Sequence, residues 1–83
     1  MPVSADELCL SGLSYPVAIE IARQMNAGAG NGSAPKLIVL GISPQVATEF
    51  AAQVNAAAFD SHKLARAGFN PALAHTLKRT SGL

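Results

Sequence analysis

Few side chains in this sequence could do chemistry, and they are scattered. One thiol (Cys9), two imidazoles (His62 and His75) and two recurring carboxylates (Glu20 and Glu49) are the candidates for nucleophilic, acid–base or metal chemistry. His75 has no acid near it in sequence, and His62 stands beside Lys63 at a predicted helix start, so both read as surface residues. Cys9, His62 and His75 do not match zinc-ligand spacing, and a single cysteine cannot close an internal disulfide. Cys9 reads as a small packed apolar residue. The run Gly28-Ala-Gly-Asn-Gly32 has the composition of a phosphate loop. It follows a helix rather than a strand, however, and lacks a closing Gly-Lys-Ser/Thr, so it reads as a linker. These residues predict no enzyme, no metal site and no cofactor.

Charge is distributed unevenly. All five acids lie at or before Asp60, and from Ser61 onward the charged residues are Lys63, Arg66, Lys78 and Arg79, accompanied by His62 and His75. The net charge of +1 is too small to mark the whole chain as a polyanion binder. The basic third of the sequence could still meet phosphates or an acidic protein.

The elements that position these residues follow from an internal repeat. Three glycines each precede a large apolar residue, Gly12-Leu13, Gly41-Ile42 and Gly68-Phe69, with the glycines 29 and 27 residues apart. Leu8, Leu37 and Leu64 stand four residues before them, and Ser14, Ser43 and Asn70 two residues after. Val17-Ala18, Val46-Ala47 and Leu73-Ala74 follow, then Ile21, Phe50 and Leu77. The first two copies also share Glu20/Glu49, Gln24/Gln53 and Asn26/Asn55.

A glycine just past a helix can take the left-handed conformation that closes a Schellman motif, with an apolar contact between C3 and C″. That pairs Leu8 with Leu13, Leu37 with Ile42, and Leu64 with Phe69. The next helix starts at once: Ser14, Ser43 and Asn70 are favoured N-caps, and prolines occupy the first turns. Ser4, Ser33 and Asp60 stand where they can cap the short first helix of each unit, and Ser4 with Glu7 has capping-box spacing.

The chain is therefore predicted to be all-α, with helices near 5–11, 15–27, 34–40, 44–58, 61–67 and 71–79. Its units are 1–28, 34–59 and 60–83, with a glycine-rich linker at 29–33. Lys36-Leu-Ile-Val-Leu40 alone has the look of a buried strand, but the matching segments of the other copies are helical and decide it. In the long helices Val17, Ile21, Met25 and Val46, Phe50, Val54 form the apolar stripes. Alanines cover much of the second one (Ala51, Ala52, Ala56, Ala57, Ala58), which suggests burial on more than one side. A domain this short is marginally stable without a staple, which again points to contacts with other chains. No apolar stretch is long enough to span a membrane, and the acidic start does not resemble a secretion signal.

Three resemblances bear on function. The helix–Gly–apolar–helix turns resemble helix-hairpin-helix modules, which grip the DNA backbone through a Gly-apolar-Gly turn. Here Ser14, Ser43 and Asn70 replace the second glycine. The segment Leu64-Ala-Arg-Ala-Gly68-Phe69 resembles the Gly-Phe loop of ubiquitin-associated domains, which are single three-helix units rather than three hairpins. Over nearly the whole chain, runs such as Val46-Ala-Thr-Glu-Phe-Ala-Ala-Gln-Val-Asn55 are similar to short repeats in bacteriophage and prophage virion-associated proteins. That last resemblance implies a structural component that forms a homo-oligomer or docks on a larger assembly, in the virion, or otherwise in the cytoplasm. The alternative is a nucleic-acid-binding module using Lys63, Arg66, Lys78 and Arg79.

Overall fold

The structure, a computed structural model, describes residues 3–81, with side chains through Thr80. Residues 1–2 and 82–83, the outer ends of the first and third predicted units, lie outside the described residues. The described residues form six helices and no strand: α1 Ala5–Leu10, α2 Tyr15–Ala27, α3 Ala34–Val39, α4 Pro44–Ala56, α5 Ser61–Ala67 and α6 Pro71–Ser81. Lys36–Val39 is helical, as the repeat requires.

Each glycine ends its short helix as predicted. Gly12, Gly41 and Gly68 have φ of +118°, +103° and +118°. The amides of Leu13, Ile42 and Phe69 donate to the carbonyls of Leu8, Leu37 and Leu64 at 3.2, 3.1 and 3.1 Å, while the glycine amides donate to those of Cys9, Ile38 and Ala65. Both bonds of the Schellman motif are thus present three times. Leu8, Leu37 and Leu64 are buried, and Leu13, Ile42 and Phe69 belong to the same apolar cluster or pack against it.

The caps are less uniform than the sequence suggests. Asp60 and Asn70 each accept two backbone N–H bonds, and Ser43 accepts one from Val46. Ser4, Ser14 and Ser33 occupy N-cap positions without a side-chain cap bond. At Ser14, Pro16 removes the N2 N–H, which leaves only that of Val17 for a cap to accept.

Burial repeats in register with the sequence. Leu8, Leu37 and Leu64 are enclosed together with Ala18, Ala47 and Ala74, and with Ile21, Phe50 and Leu77. Side chains from all six helices meet in one core, with the Phe50 and Phe59 rings 5.8 Å apart. The radius of gyration is 10.9 Å, slightly below the roughly 12 Å expected for this length. The three units therefore close on one another. Ala52 and Ala56 on α4, expected to be covered on more than one side, are exposed in the single chain.

α4 ends on a residue that is not glycine. Ala57 has φ +54°, where the first unit has Gly28. A left-handed alanine costs about 1–2 kcal/mol, partly offset because glycine is freer in the unfolded chain. Ala57→Gly is accordingly expected to stabilise the protein by about 0.5–1 kcal/mol in thermal or urea unfolding. A loss of stability would contradict this account of the helix end.

Candidate functional site

The Gln and Asn residues shared by the first two units hold the units together. Gln24 is fully buried, and its amide brackets the backbone of Ser33: the Ser33 N–H donates to Oε1 at 2.9 Å, and Nε2 donates to the Ser33 carbonyl at 3.1 Å. Gln53 does the same to Asp60, at 3.1 Å in both directions. Each glutamine thus pairs with the N-cap residue of the next short helix as a neighbouring strand would. The remaining amide hydrogen goes to Glu20 or Glu49, at 2.9 and 2.8 Å. The two glutamates, which look in sequence like solvated helix positions, therefore orient the buried amides.

Asn26 and Asn55 work in the opposite direction, each reaching back to the chain just before the first helix of its own unit. Asn26 pairs with both backbone groups of Val3, at 2.7 and 3.0 Å, and Asn55 Oδ1 accepts the Gly32 N–H at 2.7 Å. Residues 28–32 are therefore tied down rather than a free linker, and Asn31 bonds back to the Ala27 carbonyl. In the third unit Thr80 takes the glutamine position, and its hydroxyl turns back onto the Thr76 carbonyl of its own helix.

Charge supports the same junctions. Arg23, bonded to Glu20, holds that carboxyl below its usual range, with smaller contributions from Gln24 and Lys36. The Asp60 carboxyl is likewise lowered from the ordinary 3.8, first by the Lys63 backbone N–H and then by that of His62. A carboxylate with a depressed folded pKa stabilises fully above its unfolded value and loses that contribution as pH falls through the folded one. Stability is therefore expected to fall below about pH 4. Asp60→Asn, which keeps a capping oxygen, should show a shallower fall in urea titrations at pH 7 and pH 3. An unchanged acid slope would remove Asp60 from this role.

These junctions bring the three turns to one end of the molecule. Gly12, Leu13, Gly41, Ile42, Gly68 and Phe69 line a shared open depression of about 410 Å³, with Val46 and Leu73 at its floor. Apolar side chains stand exposed beside it in sequence: Leu10 is 90% exposed and Val39 is 85% exposed. They occupy the same place in units one and two, two residues before the glycine, and Arg66 holds it in unit three. Tyr15, Ile19, Ile38 and Leu40 add further exposed apolar surface.

The predicted basic residues do not gather at this end. Arg66 lies in the last turn of α5, near the third turn. Lys78 and Arg79 lie in the last turn of α6, about 10 Å along the helix from its start. Lys63 lines a separate groove between α4 and α5 that also contains Glu49 and Asp60. The turn end is also short of donors. Pro16, Pro44 and Pro71 have no N–H, and Ser43 and Asn70 already accept those of Val46, Ala72 and Leu73.

Cys9 is half-buried against the core. His62 and His75, well separated in sequence, come together with ring centres 6.0 Å apart. Among the described residues, no group of three or more His, Cys, Asp or Glu is placed to hold a metal ion, and no helix is long and apolar enough to cross a membrane. Compared with known proteins, the chain matches no family model, no curated protein and no solved structure.

Proposed function

We propose that this chain is a non-catalytic interaction protein that docks on other protein chains, copies of itself first, through the turn end of the molecule. The observation that carries this reading is the exposure of Leu10 and Val39 at equivalent places beside the three-turn depression. Leaving large aliphatic side chains in water forgoes about 1.5–3 kcal/mol of burial each, so such side chains exposed at equivalent places next to the turns mark a contact surface. The closed core makes the unit rigid enough to present that surface, and does not itself call for a partner. The similarity of the repeats to those of phage virion-associated proteins supports a bacteriophage particle as the larger assembly. Outside a particle, the cytoplasm is the compartment proposed.

Sedimentation velocity over a range of concentrations tests the reading. Reversible self-association is expected, weakened about tenfold or more in a Leu10→Ser/Val39→Ser chain, which corresponds to at least 1.4 kcal/mol. Both positions are solvent-exposed, so the variant should unfold at the same temperature as the parent. A parent chain that stays monomeric at every concentration would count against the self-docking surface.

A further inference from the structure

We propose that His62 and His75 form a two-imidazole site for a late first-row divalent cation, Cu²⁺ above all, bridging α5 and α6. The packing of α5 on α6 brings these residues together from separate helices. Their ring centres are 6.0 Å apart, and their planes cross at 84°.

That separation suits chelation. With metal–nitrogen bonds of about 2.0–2.1 Å, two imidazoles sharing one ion have ring centres about 4.5–6.4 Å apart, from a right-angled to a linear arrangement. The observed spacing lies inside this range, so side-chain rotation suffices and no helix need move. Both residues are exposed, so an ion can reach them and keep water on its other positions. The backbone beneath is held: the His62 N–H bonds to Asp60, and Leu64, Ala74 and Leu77 beside the pair are fully enclosed.

The surroundings select the ion. Asp60, and Glu49 from α4, are the acids nearest this end of α5. Lys63 and Arg66 on α5, with Arg79 on α6, outnumber them. Calcium and magnesium require several oxygen ligands, which this surface does not gather. Cu²⁺ prefers imidazole nitrogen and heads the affinity order of the divalent first-row metals. The same cations predict an unusual signature. Added non-coordinating salt screens their repulsion of the metal, so affinity should rise with ionic strength, opposite to a carboxylate site.

Calorimetric titration of the full chain with Cu²⁺ tests the proposal. One ion per chain is expected, bound more tightly at higher ionic strength. His62→Gln and His75→Gln should each weaken binding about tenfold or more, because tethered ligands gain from effective concentration. The double variant should also lose the weak single-imidazole binding that either single variant retains. Electron paramagnetic resonance of the parent complex should show two nitrogen ligands, a readout that does not depend on any variant folding. A one-nitrogen spectrum, or either single variant retaining the parent affinity, overturns the site.

Discussion

Replacing Gln53 with methionine is expected to destabilise the protein by about 2–3 kcal/mol, a large share of the roughly 4–12 kcal/mol available to a chain of this length. Methionine keeps the length and much of the volume of glutamine, so the loss isolates the hydrogen bonds. The N–H and carbonyl of Asp60 lose their partners at the start of α5, and the Glu49 carboxylate loses the amide it accepts. Unpaired groups in such a setting cost about 1–3 kcal/mol each, reduced where water can reach them. Urea unfolding gives the total. Hydrogen exchange gives its location, since the amides of α5 and α6 should lose protection before those of α1 and α2. Gln24→Met should act in the same way at Ser33. A change below about 0.5 kcal/mol would mean that the glutamine is packing filler and that apolar burial alone joins the units.

The second large effect is expected at Gly32. An added Cβ would stand 2.5 Å from the Ala51 carbonyl oxygen and 2.9 Å from its Cα. Both are helix backbone and cannot swing aside as a side-chain tip would. The strand of chain before α3 must then lift off α4, which stretches the 2.7 Å bond from Gly32 to Asn55. Gly32→Ala is expected to cost about 2–4 kcal/mol in denaturant unfolding. Gly30→Ala provides the contrast. Its site is open but has φ +86°, so it carries only the backbone penalty of about 1–2 kcal/mol. If Gly32→Ala proved the milder of the two, the close approach to α4 would not be a constraint. Combining Gly32→Ala with Asn55→Ala should cost less than the sum, since both act on one contact.

Much of the fold was legible because its signals are local. A Schellman stop is encoded by Leu, Gly and an apolar residue within six positions, and a helix start by a cap and a proline. The three copies allowed weak local signals to be read together, which is how Lys36–Val39 could be assigned as helix despite its strand-like composition. The caps depend on more than local residue type. Ser4, Ser14 and Ser33 have the right type and place, but whether a hydroxyl turns towards an N–H depends on its alternatives and on which amides exist. The site was legible only in part. The paired recurrence of Gln24/Gln53 and Asn26/Asn55 was visible, but a buried amide and a solvated one look the same in a string of residues.

The sequence by itself determined the all-α class, the six helices and their boundaries to within a residue or two, the three glycine stops and the apolar face of each long helix. These depend on backbone sterics and side-chain periodicity over a few residues. Only the tertiary structure decided that the units close into one core, that glutamine amides join each unit to the next, and that the three turns share one depression. It also decided that His62 meets His75, and that Lys63, Arg66, Lys78 and Arg79 do not gather at the turn end. Those outcomes rest on contacts between residues distant in the chain. There, pairing depends on how whole helices pack, and residue type alone does not specify the partner.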